Sequence, residues 1–271
     1  MNKEGPIGIF DSGIGGLTVA REISKILPNE QIIYFGDTAH FPYGDKAAYS
    51  IKHYSSLISE FLLSKNCKSI VIACNTASSV ASKPLQKILP VDFPLINVID
   101  PVADHIVKSN ANKKIGVIAT KGTIGSRIYP NSIKNINKNI EVVSLATPLL
   151  APMIEEGFFN NTISSTVIAE YLNKTNIKDV ETLILGCTHY PLIENEVKAF
   201  YANSNRKVKI INSARIVANS LKRLLEEKNL LSNEIKNNHH FYVSDYTKSF
   251  EKSTKFFFGD ELKLEKMDLW K

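Results

Sequence analysis

Short runs of aliphatic and β-branched residues alternate along the chain with longer stretches in which apolar residues recur every three or four positions. Leu17, Ala20, Ile23 and Leu27 show this helical spacing. Such alternation of strands and helices predicts an α/β fold with mainly parallel sheets covered by helices on both faces. The predicted strands are IGIF (7–10), IIYF (32–35), SIVIA (69–73), LINVI (95–99), IGVIA (115–119), EVVSL (141–145), TLILG (182–186), VKII (208–211) and HFYV (240–243).

Two pairs of segments resemble each other at a similar spacing along the chain. IGIFDSGIG begins at Ile7 and IGVIATKGTIG at Ile115, while IACNTAS and LGCTHYP contain Cys74 and Cys187. Similar spacing of both pairs predicts a duplicated α/β unit, and hence two similar pseudosymmetric domains with the active site in the cleft between them. We expect a discontinuous first domain and a continuous second one. Their predicted extents are residues 1–98 plus 210–271 for the first and 99–209 for the second.

Composition and charge narrow the function classes. The chain of 271 residues carries a formal net charge of +6, and the basic excess lies from residue 198 onward without a basic run interleaved with aromatic residues. This distribution favours a solvated surface over a nucleic-acid partner. The N-terminal stretch has no apolar segment of signal-peptide length, and no run is long enough to span a membrane, so we expect a cytoplasmic protein without a membrane partner.

The three cysteines, Cys67, Cys74 and Cys187, are too few and too scattered for a disulfide framework. We therefore expect all three to be reduced in the cytosol. No CxxC or HExxH spacing is present, so the sequence predicts no metal site.

Polar and reactive residues stand where the predicted strands end. In open α/β sheets ligands bind beyond the carboxyl ends of the strands. This position marks Asp11, Asp37, Cys74, Thr120 and Cys187 as candidates for one shared cleft.

The turns after these strands predict helix starts. DSGIGG, NTASS and THYPL each begin with residues that suit a helix N-terminus, where free N–H groups bind carboxylates or phosphates and stabilise thiolates. DSGIGG also resembles a dinucleotide-binding loop, but Thr18 stands where the third glycine is required.

Two matched thiols facing one cleft suit few kinds of chemistry. A nucleophile paired with a base explains Cys187 with His189 but leaves Cys74 without a task. Inversion of a carbon acid requires a base on one face and an acid on the other, which two thiols provide. A cysteine hydrolase or transferase using Cys187 and His189, and a non-catalytic module that binds amino acids or anions, are the alternatives.

Five segments, in order, resemble the cofactor-independent aspartate/glutamate racemase family, and the likeness extends over the whole chain. The resemblance implies interconversion of L- and D-glutamate without pyridoxal phosphate or any other cofactor. It also implies a two-domain α/β enzyme that forms homodimers and supplies D-glutamate for bacterial peptidoglycan. The five segments are FDSGIGGLTV (10–19), FGDTAHFPYG (35–44), IACNTAS (72–78), PMIEEG (152–157) and LGCTHYP (185–191).

The resemblance assigns expected roles to individual residues. Cys74 matches the thiol that acts on D-glutamate, and Cys187 the thiol that acts on L-glutamate. Asp11, Glu155 and His189 match residues that assist the thiols, although the sequence does not distinguish Glu155 from Glu156. The substrate-contacting positions expected from the matching segments, together with Thr120 from its place at a strand end, are Asp11, Ser12, Tyr43, Gly44, Asn75, Thr76, Thr120, Thr188 and His189.

Two details refine the resemblance. His189 favours the glutamate branch over the aspartate branch, whose members tend to carry an acidic residue at this position. His40 departs from the family pattern, in which an arginine is expected, while Pro42, Tyr43 and Gly44 match it.

Overall fold

The computed structural model describes residues 2–109, 114–235 and 238–270, whose strands form one sheet of six and one of four. The strands are β1 Ile7–Asp11, β2 Ile32–Gly36, β3 Ser69–Ile72, β4 Leu95–Asn97, β5 Ile115–Ala119, β6 Val142–Ala146, β7 Thr182–Gly186, β8 Lys209–Asn212, β9 His240–Val243 and β10 Glu265–Lys266. The helices are α1 Leu17–Ile26, α2 Ala48–Ser64, α3 Asn75–Ile88, α4 Asp100–Lys108, α5 Lys121–Gly125, α6 Ile128–Ile136, α7 Leu150–Glu155, α8 Thr162–Leu172, α9 Glu194–Asn203, α10 Ser213–Glu227 and α11 Lys248–Phe258. Short 3-10 turns cover Thr38–His40, Tyr43–Asp45 and Tyr190–Ile193.

The two sheets repeat one strand order. The larger sheet runs β10-β9-β2-β1-β3-β4 and the smaller one β6-β5-β7-β8, and their paired strands are parallel. The order β2-β1-β3-β4 therefore recurs as β6-β5-β7-β8, with β9 and β10 added beside β2. This repetition confirms the predicted α/β class with mainly parallel sheets and accounts for the two pairs of similar segments.

The nine predicted strands are all present, with small differences at their ends. β6 and β8 begin one residue later than predicted, and β4 stops at Asn97 instead of residue 99. A further strand, β10, is only two residues long, lies at the sheet edge and was not predicted. α1 ends at Ile26, so Leu27 caps the helix from outside it.

Both faces of the larger sheet are buried. Ile7 and Ile9 on β1 belong to one apolar cluster, and Phe10 between them and the strand end belongs to a second cluster on the opposite face. All three side chains are fully buried. Successive residues of a strand point to opposite faces, so helices on both sides enclose β1 and fix the position of its carboxyl end.

Helix α10, which follows the last strand of the smaller sheet, packs against α1 and α4. The predicted boundary at residue 209 falls inside β8, which pairs with β7 in the smaller sheet. The division of the chain into two domains at the stated residues stays a prediction.

Among the described residues, no helix is both long enough and apolar enough to cross a membrane.

Candidate active site

Asp11 is the last residue of β1 and is fully buried. Its Oδ2 accepts a hydrogen bond from the Gly16 N–H at 2.8 Å, just before α1 begins. Its Oδ1 is buried without a hydrogen-bond partner among the described residues. Burial raises the pKa of Asp11 above its usual value, while the charge of His189 opposes the shift. A buried carboxylate with one oxygen left over can accept a cationic group of a ligand.

Cys74 follows β3 and caps the N-terminus of α3. Its sulfur accepts a hydrogen bond from the Ala77 N–H at 3.4 Å, and its thiol donates to the Ser12 hydroxyl at 3.6 Å. Burial, followed by the negative charges of Asp11 and Cys187, raises the pKa of the Cys74 thiol far above its ordinary value, although the Ala77 and Ser12 hydrogen bonds oppose this. Cys74 is therefore a thiol rather than a thiolate near neutral pH.

Cys187 follows β7 and has different neighbours. Its sulfur lies 3.5 Å from Nδ1 of His189, whose Nε2 lies 2.6 Å from Oε1 of Glu155. Burial opposes protonation of His189, but the charges and hydrogen bonds of Cys187 and Glu155 outweigh it and raise the pKa of the imidazole well above its usual value. His189 is consequently an imidazolium placed between a sulfur and a carboxylate.

The structure distinguishes the two glutamates that the sequence left open. Glu155 ends α7 and its side chain is 12% exposed beside His189, whereas Glu156 is exposed. The ring of Phe257 lies edge-on to His189 at a centroid distance of 5.4 Å. Glu155 is therefore the carboxylate that holds the imidazole within apolar surroundings.

The DSGIGG loop lies directly against the Cys187 side of the site. A Cβ atom added at Gly15 would be 2.5 Å from Nδ1 of His189, and the Thr18 hydroxyl donates to the Thr188 carbonyl at 2.9 Å. The backbone at position 15 approaches the imidazole so closely that only glycine fits. The glycine is thus explained without a dinucleotide-binding role for the loop. The loop after β1 and the loop after β7 thus meet in one site.

A second contact joins the helix start after β3 to the helix start after β5. The Thr76 hydroxyl at the start of α3 lies 2.9 Å from that of Thr120, which caps α5. A Cβ atom at Gly44 would be 2.9 Å from Cβ of Thr120. Thr76, Thr120 and Gly44, all expected to contact substrate, therefore lie together.

Asp37 supports the site instead of facing the sulfurs. Its carboxylate is fully buried and accepts hydrogen bonds from the hydroxyls of Tyr43 at 2.6 Å and Ser244 at 2.7 Å. Nδ1 of His40, the residue that departs from the family pattern, lies 2.9 Å from both Asp37 oxygens, and its ring stacks on Tyr54. Asp37 thereby fixes the turn that carries Tyr43.

Two tyrosines in this region were not among the predicted site residues. Tyr34 donates to the Gly13 carbonyl at 2.8 Å beneath the DSGIGG loop, and Tyr129 donates to Oδ1 of Asn75 at 2.7 Å. Both are buried, and Tyr34 stands within an otherwise apolar run. A buried tyrosine hydroxyl needs a hydrogen-bond partner, so the place of Tyr34 in a predicted strand was a usable signal, whereas the sequence around Tyr129 gives none.

The chain matches a known protein family over most of its length. The family model described as Asp/Glu/Hydantoin racemase matches residues 8–221, a span that contains Cys74 and Cys187. The chain belongs to this racemase family. Members of the family are isomerases, and the resemblance noted from the five segments is confirmed.

Individual members of the racemase family match almost the entire chain. A glutamate racemase of a Sulfurihydrogenibium species is 41% identical over 97% of this chain and 97% of its own length. A glutamate racemase of Geobacter metallireducens is also 41% identical, over 94% of this chain and 93% of its own.

Solved structures of family members share the fold. The crystal structure of glutamate racemase from Francisella tularensis in complex with D-glutamate matches with a TM-score of 0.91 at 39% identity, covering 99% of each chain. The RacE1 isoform of glutamate racemase from Bacillus anthracis matches with a TM-score of 0.89 at 35% identity, again over 99% of each chain.

Proposed function

We propose that this protein is a glutamate racemase that interconverts L- and D-glutamate with two thiols and no cofactor. The observation that carries the proposal is the placement of Cys74 and Cys187 after equivalent strands, β3 and β7, of two sheets with the same strand order. The Cys74 thiol contacts the Ser12 hydroxyl, and the Cys187 sulfur contacts Nδ1 of His189. Family membership and the near full-length similarity to glutamate racemases support the same activity.

Conversion of L-glutamate begins at Cys187. Its thiolate, 3.5 Å from Nδ1 of His189, removes the α-proton, and the electron pair is left on the α-carbon and its carboxylate. Cys74 then gives its proton to the opposite face of that carbon. One proton leaves and one arrives, so the product is D-glutamate with Cys187 now a thiol and Cys74 a thiolate.

Conversion of D-glutamate runs through the same steps in reverse. Cys74, as thiolate, removes the proton and Cys187 returns one. Asp11 favours the thiol form of Cys74, which suits Cys74 as the proton donor when L-glutamate is the substrate.

Substrate binding is assigned to the groups around the two sulfurs. Helix starts at Asn75 and at Thr120 offer N–H groups and hydroxyls for the carboxylates. The free Oδ1 of Asp11 is suited to the substrate ammonium group. The remaining positions proposed to contact substrate are Ser12, Tyr43, Gly44, Thr76, Thr188 and His189.

We further propose that the enzyme acts in the cytoplasm as a homodimer and supplies D-glutamate for peptidoglycan. Glutamate is the proposed substrate in preference to aspartate, since the relatives at about 40% identity are named glutamate racemases.

Circular dichroism of L-glutamate and of D-glutamate, incubated separately with purified protein and no added cofactor, tests the activity. Both signals are expected to decay to zero, and aspartate signals to persist. Cys74→Ala and Cys187→Ala should each abolish the decay, whereas Cys67→Ala removes an equally buried thiol outside the site and should leave it unchanged. Unchanged glutamate signals with the wild-type protein would contradict the proposal.

One observation favours a second candidate function. Cys187, His189 and Glu155 form a chain of contacts like the nucleophile, base and orienting acid of a cysteine hydrolase or transferase. That reading requires a covalent acyl adduct on Cys187 and full activity after Cys74→Ala. Mass spectrometry of the protein treated with activated acyl esters distinguishes it from racemisation.

A further inference from the structure

Tyr129 contacts the residues next to both site cysteines. It lies on α6 and is 1% exposed. A Cβ atom added at Gly186, the residue before Cys187, would be 3.3 Å from Cε2 of Tyr129. At its other end, the Tyr129 hydroxyl donates to Oδ1 of Asn75 at 2.7 Å. One side chain thus packs beside the strand that leads to Cys187 and holds the residue that follows Cys74.

The carboxamide of Asn75 is only half satisfied. Its oxygen accepts from Tyr129, whereas its Nδ2 is buried without a hydrogen-bond partner among the described residues. A buried donor without a partner is destabilising, so an amide nitrogen in this situation is suited to an incoming acceptor. Asn75 begins α3, where the helix terminus also favours negative charge.

The Tyr129 hydroxyl decides which end of the amide is free. The two ends of a carboxamide are nearly the same size, so packing alone does not fix its orientation. Burial, with the charges of Cys187 and Asp100 adding to it, raises the pKa of Tyr129 far above its usual value, so the hydroxyl keeps its proton to donate. A donating hydroxyl binds the amide oxygen and leaves the nitrogen available.

We propose that Tyr129 is a positioning residue whose hydroxyl orients Asn75 so that Nδ2 is presented to a carboxylate of the substrate, an inference that rests on the proposed racemase function. Tyr129 does not itself contact the reacting atoms. Its effect is transmitted through Asn75 alone.

The variant Tyr129→Phe removes the hydroxyl and retains the ring. KM for L- and for D-glutamate should rise by roughly three- to tenfold, the usual effect of one hydrogen bond. Because the carboxylate is bound in both ground and transition states, kcat should change little. The matched control is Tyr246→Phe, which removes a hydroxyl that donates to Glu251 at 2.6 Å outside the site and should leave KM unchanged.

A double-mutant cycle separates positioning from general support of the fold. The four proteins are wild type, Tyr129→Phe, Asn75→Ala and the double variant, compared by kcat/KM, with thermal melting to establish that each is folded. If Tyr129 acts through Asn75, Tyr129→Phe should have no further effect once Asn75 is alanine. Equal effects of Tyr129→Phe in both backgrounds, or an unchanged KM in the single variant, would overturn the positioning role. Absence of racemisation by the wild-type protein would instead refute the proposed function.

Discussion

The Nδ1 atom of His189 lies 3.5 Å from the sulfur of Cys187. At the equivalent place after Cys74, two positions further along, the duplicated unit has Thr76, which contacts Thr120 instead. Conversely, Asp11 at the end of β1 corresponds to Ala119 at the end of β5. The repeated strand order therefore positions two thiols alike, while the groups around them differ in charge.

The acidic neighbour of Cys74 should control its reactivity. The negative charge of Asp11 contributes to the raised pKa of this thiol, so Asp11→Asn should lower that pKa and increase the thiolate fraction at a given pH. In a background with Cys67 and Cys187 replaced by alanine, we expect iodoacetamide to modify Cys74 about tenfold faster after this change, near neutral pH. Mass spectrometry over time measures the rate.

The same background provides the control for this experiment. Asp179→Asn removes an exposed carboxylate and should leave the rate of Cys74 alkylation unchanged. The wild-type rate should also rise with pH beyond the range in which an ordinary thiol has already ionised. An equal or slower rate in Asp11→Asn would show that burial alone suppresses the thiolate.

Glu155 should matter for catalysis where its neighbour Glu156 does not. Glu155→Gln removes the charge that contributes to the raised pKa of His189, so a smaller fraction of the imidazole is protonated beside Cys187. A charge-assisted hydrogen bond is about twice as strong as the neutral one that glutamine can still accept, so transition-state binding should weaken by about 1 to 2 kcal/mol and kcat/KM should fall roughly 5- to 30-fold. Because L- and D-glutamate are equal in energy, the loss should be the same in both directions. The matched variant Glu156→Gln, at an exposed position, should retain full activity.

A methyl group at Gly15 should displace the imidazole of His189. The added Cβ would be 2.5 Å from Nδ1, and the ring is confined on other sides by Phe257 and Glu155. Displacement of a catalytic group by about 1 Å can lower the rate roughly 100-fold, so kcat should fall by this order in Gly15→Ala. Gly125→Ala should leave kcat unchanged, because, apart from its own helix, no atom of the described residues lies within 4 Å of the added Cβ. A fully active Gly15→Ala variant would mean that the ring position is not critical.

Asp37 should contribute chiefly to stability. Asp37→Ala leaves the buried hydroxyls of Tyr43 and Ser244 without their acceptor, which should lower the free energy of unfolding by about 2 to 4 kcal/mol. Urea denaturation measures the change. The exposed Asp45, which pairs with Lys121 at 3.2 Å, offers the comparison, since Asp45→Ala should cost less than about 1 kcal/mol.

The positions of the site residues along the chain were predictable because they depend on local patterns. An apolar run fixes where a strand ends, and the carboxyl ends of parallel strands form one edge. Asp11, Cys74, Thr120 and Cys187 were placed in this way, and the structure brings Cys74 and Cys187 close enough for the charge of Cys187 to raise the pKa of the Cys74 thiol. Their chemical roles stay predictions that the variants above test.

The contacts that distinguish neighbouring residues were not predictable. Glu155 and Glu156 are adjacent, and successive helical residues point about 100° apart, so the choice between them depends on where α7 packs. Tyr129 could not be told from an ordinary core aromatic, because its partner Asn75 lies 54 positions away in the chain. Long-range packing, which a single sequence does not encode in any local pattern, decides such contacts.

Racemisation of L-glutamate in deuterium oxide, followed by chiral separation and nuclear magnetic resonance of each enantiomer at early times, tests the two-thiol account most directly. If Cys187 removes the proton and Cys74 supplies another from the opposite face, the first D-glutamate formed should carry deuterium at the α-carbon, while the remaining L-glutamate keeps its proton. D-glutamate that retains the original proton at early times would show that one group carries it from face to face, and would contradict the account.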